Sequence, residues 1–77
     1  MDTVLILHGP NLNLLGTRER DIYGGTTLEE INRRAVEHGH SLGFSVETAQ
    51  LNGEGDMVEA VHAAANAYRG VVINPAA

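Results

Sequence analysis

The sequence has no cysteine, no lysine and no tryptophan, only two prolines and three aromatic residues. Its longest apolar run is the "VLIL" of residues 4–7. Without cysteine there is no disulfide framework and no zinc site built on thiolates, which fits a cytosolic protein. Five arginines are the only strong bases against ten acidic residues, a net charge of −5. A nucleic-acid binder would need a basic face, so that class is set aside. The opening "MDTVLILHGP" puts an acid where a secretory signal needs a base, and its apolar run is far too short to span a membrane. The expectation is a cytoplasmic protein with neither a membrane nor a nucleic acid as partner. Repeats, low-complexity tracts and linkers are also missing.

What is present organises itself around short apolar runs. The 77 residues make one small domain at most, burying roughly 60–65% of the unfolded surface. "VLIL" is bounded by Gly9-Pro10 and reads as a parallel strand buried on both faces. In "GGTTLEEINRRAVEHGHSLGF", Thr26 and Thr27 each precede a Glu by three residues, so a capping box is available in either register. Leu28, Ile31, Ala35 and Leu42 then follow at helical spacing, and Gly43 suits the position just past a helix end. "FSVETAQL" (residues 44–51) reads as a strand and "NGEGD" as a turn. A second helical stripe runs through Met57, Val58, Val61, Ala64, Ala65 and Tyr68, closed by Gly70. "VVIN" (residues 71–74) is a third strand of the buried type, stopped by Pro75.

The order β-α-β-α-β, with helical crossovers, predicts a parallel α/β sheet with right-handed connections. Three strands and two helices are half of a doubly wound domain, so the chain reads as part of something longer. In such sheets ligands bind outside the carboxyl ends of the strands, where the strand order reverses. With the first strand between the second and third, that crevice is flanked by His8-Gly9-Pro10-Asn11 and Asn74-Pro75-Ala76. Asn11 and Asn74 then face one cleft, with a donor and an acceptor each for a polar ligand. From the residues alone, the competing reading is that both cap turns.

Residues 8–25 form a long loop, of the kind that is usually functional or disordered. It carries Arg18, Arg20 and Tyr23. A phenol is a poor base at neutral pH, with a pKa of about 10. A close Arg stabilises the phenolate, so Arg18 and Tyr23 on one closing loop make a possible general base; the competing reading is a solvated loop. "GTRERDIYGG" fits no phosphate-binding glycine pattern. His38 and His40 point in different directions on a helix, His62 reads as solvated, and His8 at the first strand end reads as a hydrogen-bonded structural residue, with lining the cleft as the competing reading. No metal is implied.

"LILHGPNLNLLGTRERDIYGGTTLEEIN" closely resembles the N-terminal signature of type II 3-dehydroquinate dehydratases, and "VVINPAA" their third-strand motif. The pairing of GPNLNLLG-x-R-E with I-Y-G is specific, and the resemblance covers essentially the whole chain. It implies a flavodoxin-like fold with strand order 2-1-3. It also implies anti dehydration of 3-dehydroquinate to 3-dehydroshikimate through an enolate, a shikimate-pathway lyase reaction needing neither cofactor nor metal. By matching positions, the long loop is the catalytic lid and Tyr23 the base. Arg18 keeps Tyr23 ionised, Asn11 positions the water at the enolate oxygen, and Asn74 and Pro10 bind substrate. The family assembles as dodecamers of trimers, so a homo-oligomer is expected.

Two departures stand out. The family's Gln-Ser-Asn-His-Glu-Gly segment, which tends to face neighbouring subunits, is here Gln50-Leu51-Asn52-Gly53-Glu54-Gly55. The family's later segments supply the general-acid His and an Arg for the substrate carboxylate, and neither lies within these 77 residues. The resemblance therefore places residues 1–77 as the N-terminal half of a dehydroquinase domain, inactive by themselves. A different class of function, a non-catalytic module pairing with a longer homologue through its third-strand edge, is the alternative. A flavin or nucleotide binder rests on fold analogy alone.

Overall fold

A computed structural model describes residues 2–14 and 26–75. Strand β1 (Thr3–His8) leads into a 3₁₀ turn at Leu12–Leu14. Helix α1 (Leu28–Ser41), strand β2 (Ser45–Gln50), helix α2 (Glu54–Ala64) and strand β3 (Gly70–Asn74) follow. The strands form one parallel sheet in the order β2-β1-β3: parallel as the alternation of elements predicts, and in the strand order that the resemblance implies.

Register decides which side chains share a face. β1 pairs with β2 from Thr3 opposite Ser45 to His8 opposite Gln50, and with β3 from Val4 opposite Gly70 to His8 opposite Asn74. Successive side chains alternate between faces. Val4, Ile6 and His8 therefore share one face with Val46, Thr48 and Gln50 and with Val72 and Asn74. This is the α1 face: His8 Nε2 lies 2.8 Å from Asn32 Oδ1 on α1, and a Cβ at Gly39 of α1 would collide with Val46 Cγ2. The crossovers β1→β2 and β2→β3 run in opposite directions across the sheet. Right-handed connection puts their helices on opposite faces, so Leu5, Leu7, Val71 and Ile73 belong to α2. Leu5, Leu7, Leu12 and Ala64 are the buried apolar residues among those described.

Local chemistry accounts for the element ends. Thr27 is the N-cap of α1, its Oγ1 accepting from the Glu30 N–H at 3.2 Å, so the second of the two possible cap registers is used. Gly43 follows the C-cap with φ +91°, where a side chain would be strained.

Four expectations are corrected. α2 ends at Ala64 rather than near Gly70; a turn through Ala67 takes over, with the Ala67 and Tyr68 N–H groups both donating to Ala64 O at 3.1 Å. Gly70 is the first residue of β3 instead of a helix stop. Leu42, read as part of the α1 apolar stripe, is 62% exposed because it lies past the last helical residue. β3 is also no buried strand: Val72 is 55% and Ile73 45% exposed, since β3 pairs with β1 on one side only. Among the described residues no helix is long and apolar enough to cross a membrane.

Candidate active site at the carboxyl ends of the strands

Parallel strands end together, so register alone sets His8, Gln50 and Asn74 in a row across the sheet on the α1 face. His8 is the centre of the row and is 5% exposed. With Asn32 Oδ1 as acceptor at 2.8 Å, Nε2 carries the ring proton. Nδ1 is buried and has no hydrogen-bond partner among the described residues. His8 thus matches its reading as a hydrogen-bonded structural residue, and it ties β1 to the first turns of α1.

The chain leaves β1 under close constraint. The Gly9 N–H donates to Asn74 O at 2.8 Å, and the Leu51 N–H donates to His8 O at 2.9 Å. A Cβ on Gly9 would sit 2.7 Å from the Pro75 carbonyl carbon and closer still to its oxygen. Only glycine lets the loops after β1 and β3 approach this closely. The loops that follow β1 and β3 therefore meet at the carboxyl end of the sheet, with the Gly9 backbone against Asn74 and Pro75.

Asn11 is exposed and has φ +67°, in the left-handed region that Asn tolerates better than other side-chain-bearing residues. Its N–H donates to Asn52 Oδ1 at 3.0 Å. Gln50 Nε2 donates to Gly9 O at 3.0 Å and to Asn52 Oδ1 at 2.9 Å. Gln50 and Asn52 were not singled out as site residues from sequence. The signal was there: they keep the family's residue types where Leu51 and Gly53 depart, and β2 ends beside His8 in a 2-1-3 sheet.

The structure brings Pro10, Asn11 and Asn74 to one end of the sheet. Arg18 and Tyr23 lie outside the described residues. On the α2 face a groove of about 460 Å³ reaches the same strand ends. Met57, Val58, Val61 and Ile73 supply its apolar walls, and Pro10, Asn52 and Pro75 border it at the strand ends. His62, read as solvated, is exposed and sits on its rim. Among the described residues no three His, Asp or Glu side chains come together as a metal site would need.

A family model described as dehydroquinase class II matches residues 2–77. The chain belongs to the class II dehydroquinases. A 3-dehydroquinate dehydratase of Ruegeria pomeroyi is 53% identical over 77 residues, all of this chain and 52% of that protein. A catabolic 3-dehydroquinase of Emericella nidulans is 48% identical over 75 residues, 97% of this chain and 49% of that one. The crystal structure of the type II dehydroquinase from Propionibacterium acnes superposes with a TM-score of 0.90 at 45% identity, covering 99% of this chain and 52% of that one. The fold is thus that of the class II dehydroquinases, and the chain spans about half the length of the curated relatives it matches.

Proposed function

We propose that the complete protein carrying this sequence dehydrates 3-dehydroquinate to 3-dehydroshikimate, as an anti elimination without cofactor. Residues 1–77 are then the first half of its one domain. What carries the reading is a family match spanning residues 2–77, which include Asn11, Arg18, Tyr23 and Asn74. The approach of the Asn11 loop to Asn74 supports it. In this scheme the Tyr23 phenolate takes the proton next to the ketone, and the electron pair forms the enolate. Arg18 holds Tyr23 ionised by charge. Asn11 orders the water that hydrogen-bonds the enolate oxygen, and Asn74 and Pro10 hold the substrate. When the ketone reforms, the hydroxyl leaves as water, taking its proton from a general acid that these 77 residues do not supply.

The reading makes the whole protein a cytoplasmic homo-oligomer of the dodecameric, trimer-built kind, with a small-molecule substrate and neither membrane nor nucleic acid as partner. Its net charge of −5 supports the last point. Residues 1–77 alone are inactive: loss of the general acid costs about 10²–10⁴-fold before any loss of substrate contacts.

The test is turnover, followed by the ultraviolet absorption of the conjugated product. Tyr23→Phe in the complete protein is expected to collapse kcat while substrate still binds; an unchanged kcat rules Tyr23 out as the base. Arg18→Ala is expected to slow the reaction and move the rising limb of the pH–rate profile to higher pH. A profile that stays in place removes the phenolate argument. The second reading, a non-catalytic module pairing through β3, is favoured by the exposure of Val72 and Ile73 on that open edge. Co-purification with a longer homologous chain would support it, and a monodisperse lone chain would count against it.

A further inference from the structure

We infer that Gln50 and Asn52 are positioning residues for this site: together they clamp the backbone at Gly9 and Asn11 and so set the direction in which the Asn11 side chain leaves the chain. The inference rests on the reading in which Asn11 orders the water at the enolate oxygen, and deepens it.

The need for a clamp comes from the backbone of Asn11. A φ of +67° places a residue with a Cβ in a sparsely populated region, and such conformations persist only where the surroundings impose them. Here the surroundings come from the end of β2. Gln50 is the last residue of β2, in register with His8, and Asn52 lies two residues beyond it, within hydrogen-bond reach of the Gln50 amide. Gln50 has two amide hydrogens on Nε2, and each has an acceptor: Gly9 O at 3.0 Å and Asn52 Oδ1 at 2.9 Å. Asn52 Oδ1 has two lone pairs, and each has a donor: Gln50 Nε2 and the Asn11 N–H at 3.0 Å. The closed inventory fixes which way both amides face. Gln50 must present its nitrogen because Gly9 offers a carbonyl, and Asn52 must present its oxygen because Asn11 offers an N–H.

The clamp has a second jaw. The Gly9 N–H is held by Asn74 O at 2.8 Å on the β3 side, so β2 and β3 grip the loop from opposite sides. The three strand ends thereby set the spacing between Asn11 and Asn74, the two Asn side chains that the proposed reading places at the substrate.

The experiment is steady-state kinetics on the complete protein, comparing Asn52→Ala, Asn52→Asp, Gln50→Glu and Asn11→Gly. Asn52→Ala is expected to lower kcat by about 10- to 100-fold, the usual scale for a misplaced group, with KM within about 3-fold. Asn52→Asp keeps both acceptor contacts and is expected to stay within about 3-fold of the parent. Gln50→Glu has the same shape but no hydrogens for Gly9 O or Asn52 Oδ1, and is expected to fall as Asn52→Ala does. Asn11→Gly keeps the left-handed backbone and removes the side chain. If Asn52 acts through Asn11, Asn52→Ala adds no further loss in the Asn11→Gly background, whereas losses that multiply overturn the inference. An unchanged kcat in Asn52→Ala, beside a collapsed kcat in Asn11→Gly, overturns the clamp and leaves the reading of Asn11 standing. If Asn52→Ala does not fold, the two isosteric variants carry the same contrast. If the protein does not turn over 3-dehydroquinate, the functional reading fails, and hydrogen exchange of the segment over residues 9–14 decides the clamp. Faster exchange in Gln50→Glu than in the parent supports it, and equal exchange overturns it.

Discussion

Gly9 and Tyr68 show how much of this molecule rests on single contacts. Gly9 is where the loops after β1 and β3 touch, and a methyl group there would collide with the backbone of Pro75, which is tied in turn through Asn74 O. A backbone obstacle cannot rotate away. Gly9→Ala is expected to destabilise the protein by about 1–3 kcal/mol, the usual range for overpacking, read as a lower urea midpoint. Tyr68 concerns pH instead. Its hydroxyl donates to Glu47 Oε1 at 2.6 Å. That hydrogen bond, with desolvation and the negative charge of Glu47 adding to it, raises the Tyr68 pKa above its ordinary value. The folded state holds this proton more tightly than the unfolded state, where a tyrosine titrates at about 10. The bond's contribution is therefore complete below pH ~10 and is lost as pH rises through the raised folded value. Urea midpoints for the parent and Tyr68→Phe should differ at pH 8 and converge above pH 10; a constant difference would sever the bond from the titration.

Among the elements, α1 carries its own instructions and α2 does not. Thr27, Glu30 and Gly43 mark the ends of α1 through side-chain and backbone chemistry within a few residues of each end. Thr27→Ala is expected to cost about 1 kcal/mol, as loss of an N-cap oxygen does; an unchanged thermal midpoint would show that the cap bond carries no stability. α2 has Gly53 as its N-cap, which supplies no side-chain cap bond. Its apolar spacing runs on past Ala64, and this is why the sequence extends the helix too far. What stops it is non-local: Tyr68 must reach Glu47 on β2, and the Arg69 N–H must reach Thr3 O at 2.8 Å as β3 joins the sheet.

The described residues form a three-stranded slab, 35 × 32 × 13 Å, and a sheet of three strands about 4.8 Å apart is only about 10 Å wide. It exposes 5183 Å², against roughly 4,500 Å² for a compact monomer of this size. The α2 groove and the open β3 edge both contribute to that surface: Val58 is 50% exposed, and Val61, Val72 and Ile73 are exposed as well. Residues 1–77 expressed alone are expected to raise the fluorescence of an apolar dye, and the paired change Val58→Ser with Ile73→Thr to reduce it. Emission unaffected by the pair would place the apolar surface elsewhere than this groove.

The element types, their order and the family signature are properties of neighbouring residues, so the sequence alone determined them, while it left two registers open for the cap of α1. Which residues meet at the strand ends depends on register between strands far apart in the chain, as in His8 opposite Gln50 and Asn74. No local pattern encodes the hydrogen bonds that join Gln50 to Gly9 O and the Asn11 N–H to Asn52 Oδ1, or the part-buried pairing of His8 with Asn32. The exposure of β3 is of the same kind. Val71, Val72 and Ile73 form the same apolar run whether or not another strand lies beside them, and only the assembled sheet decides whether that run is covered.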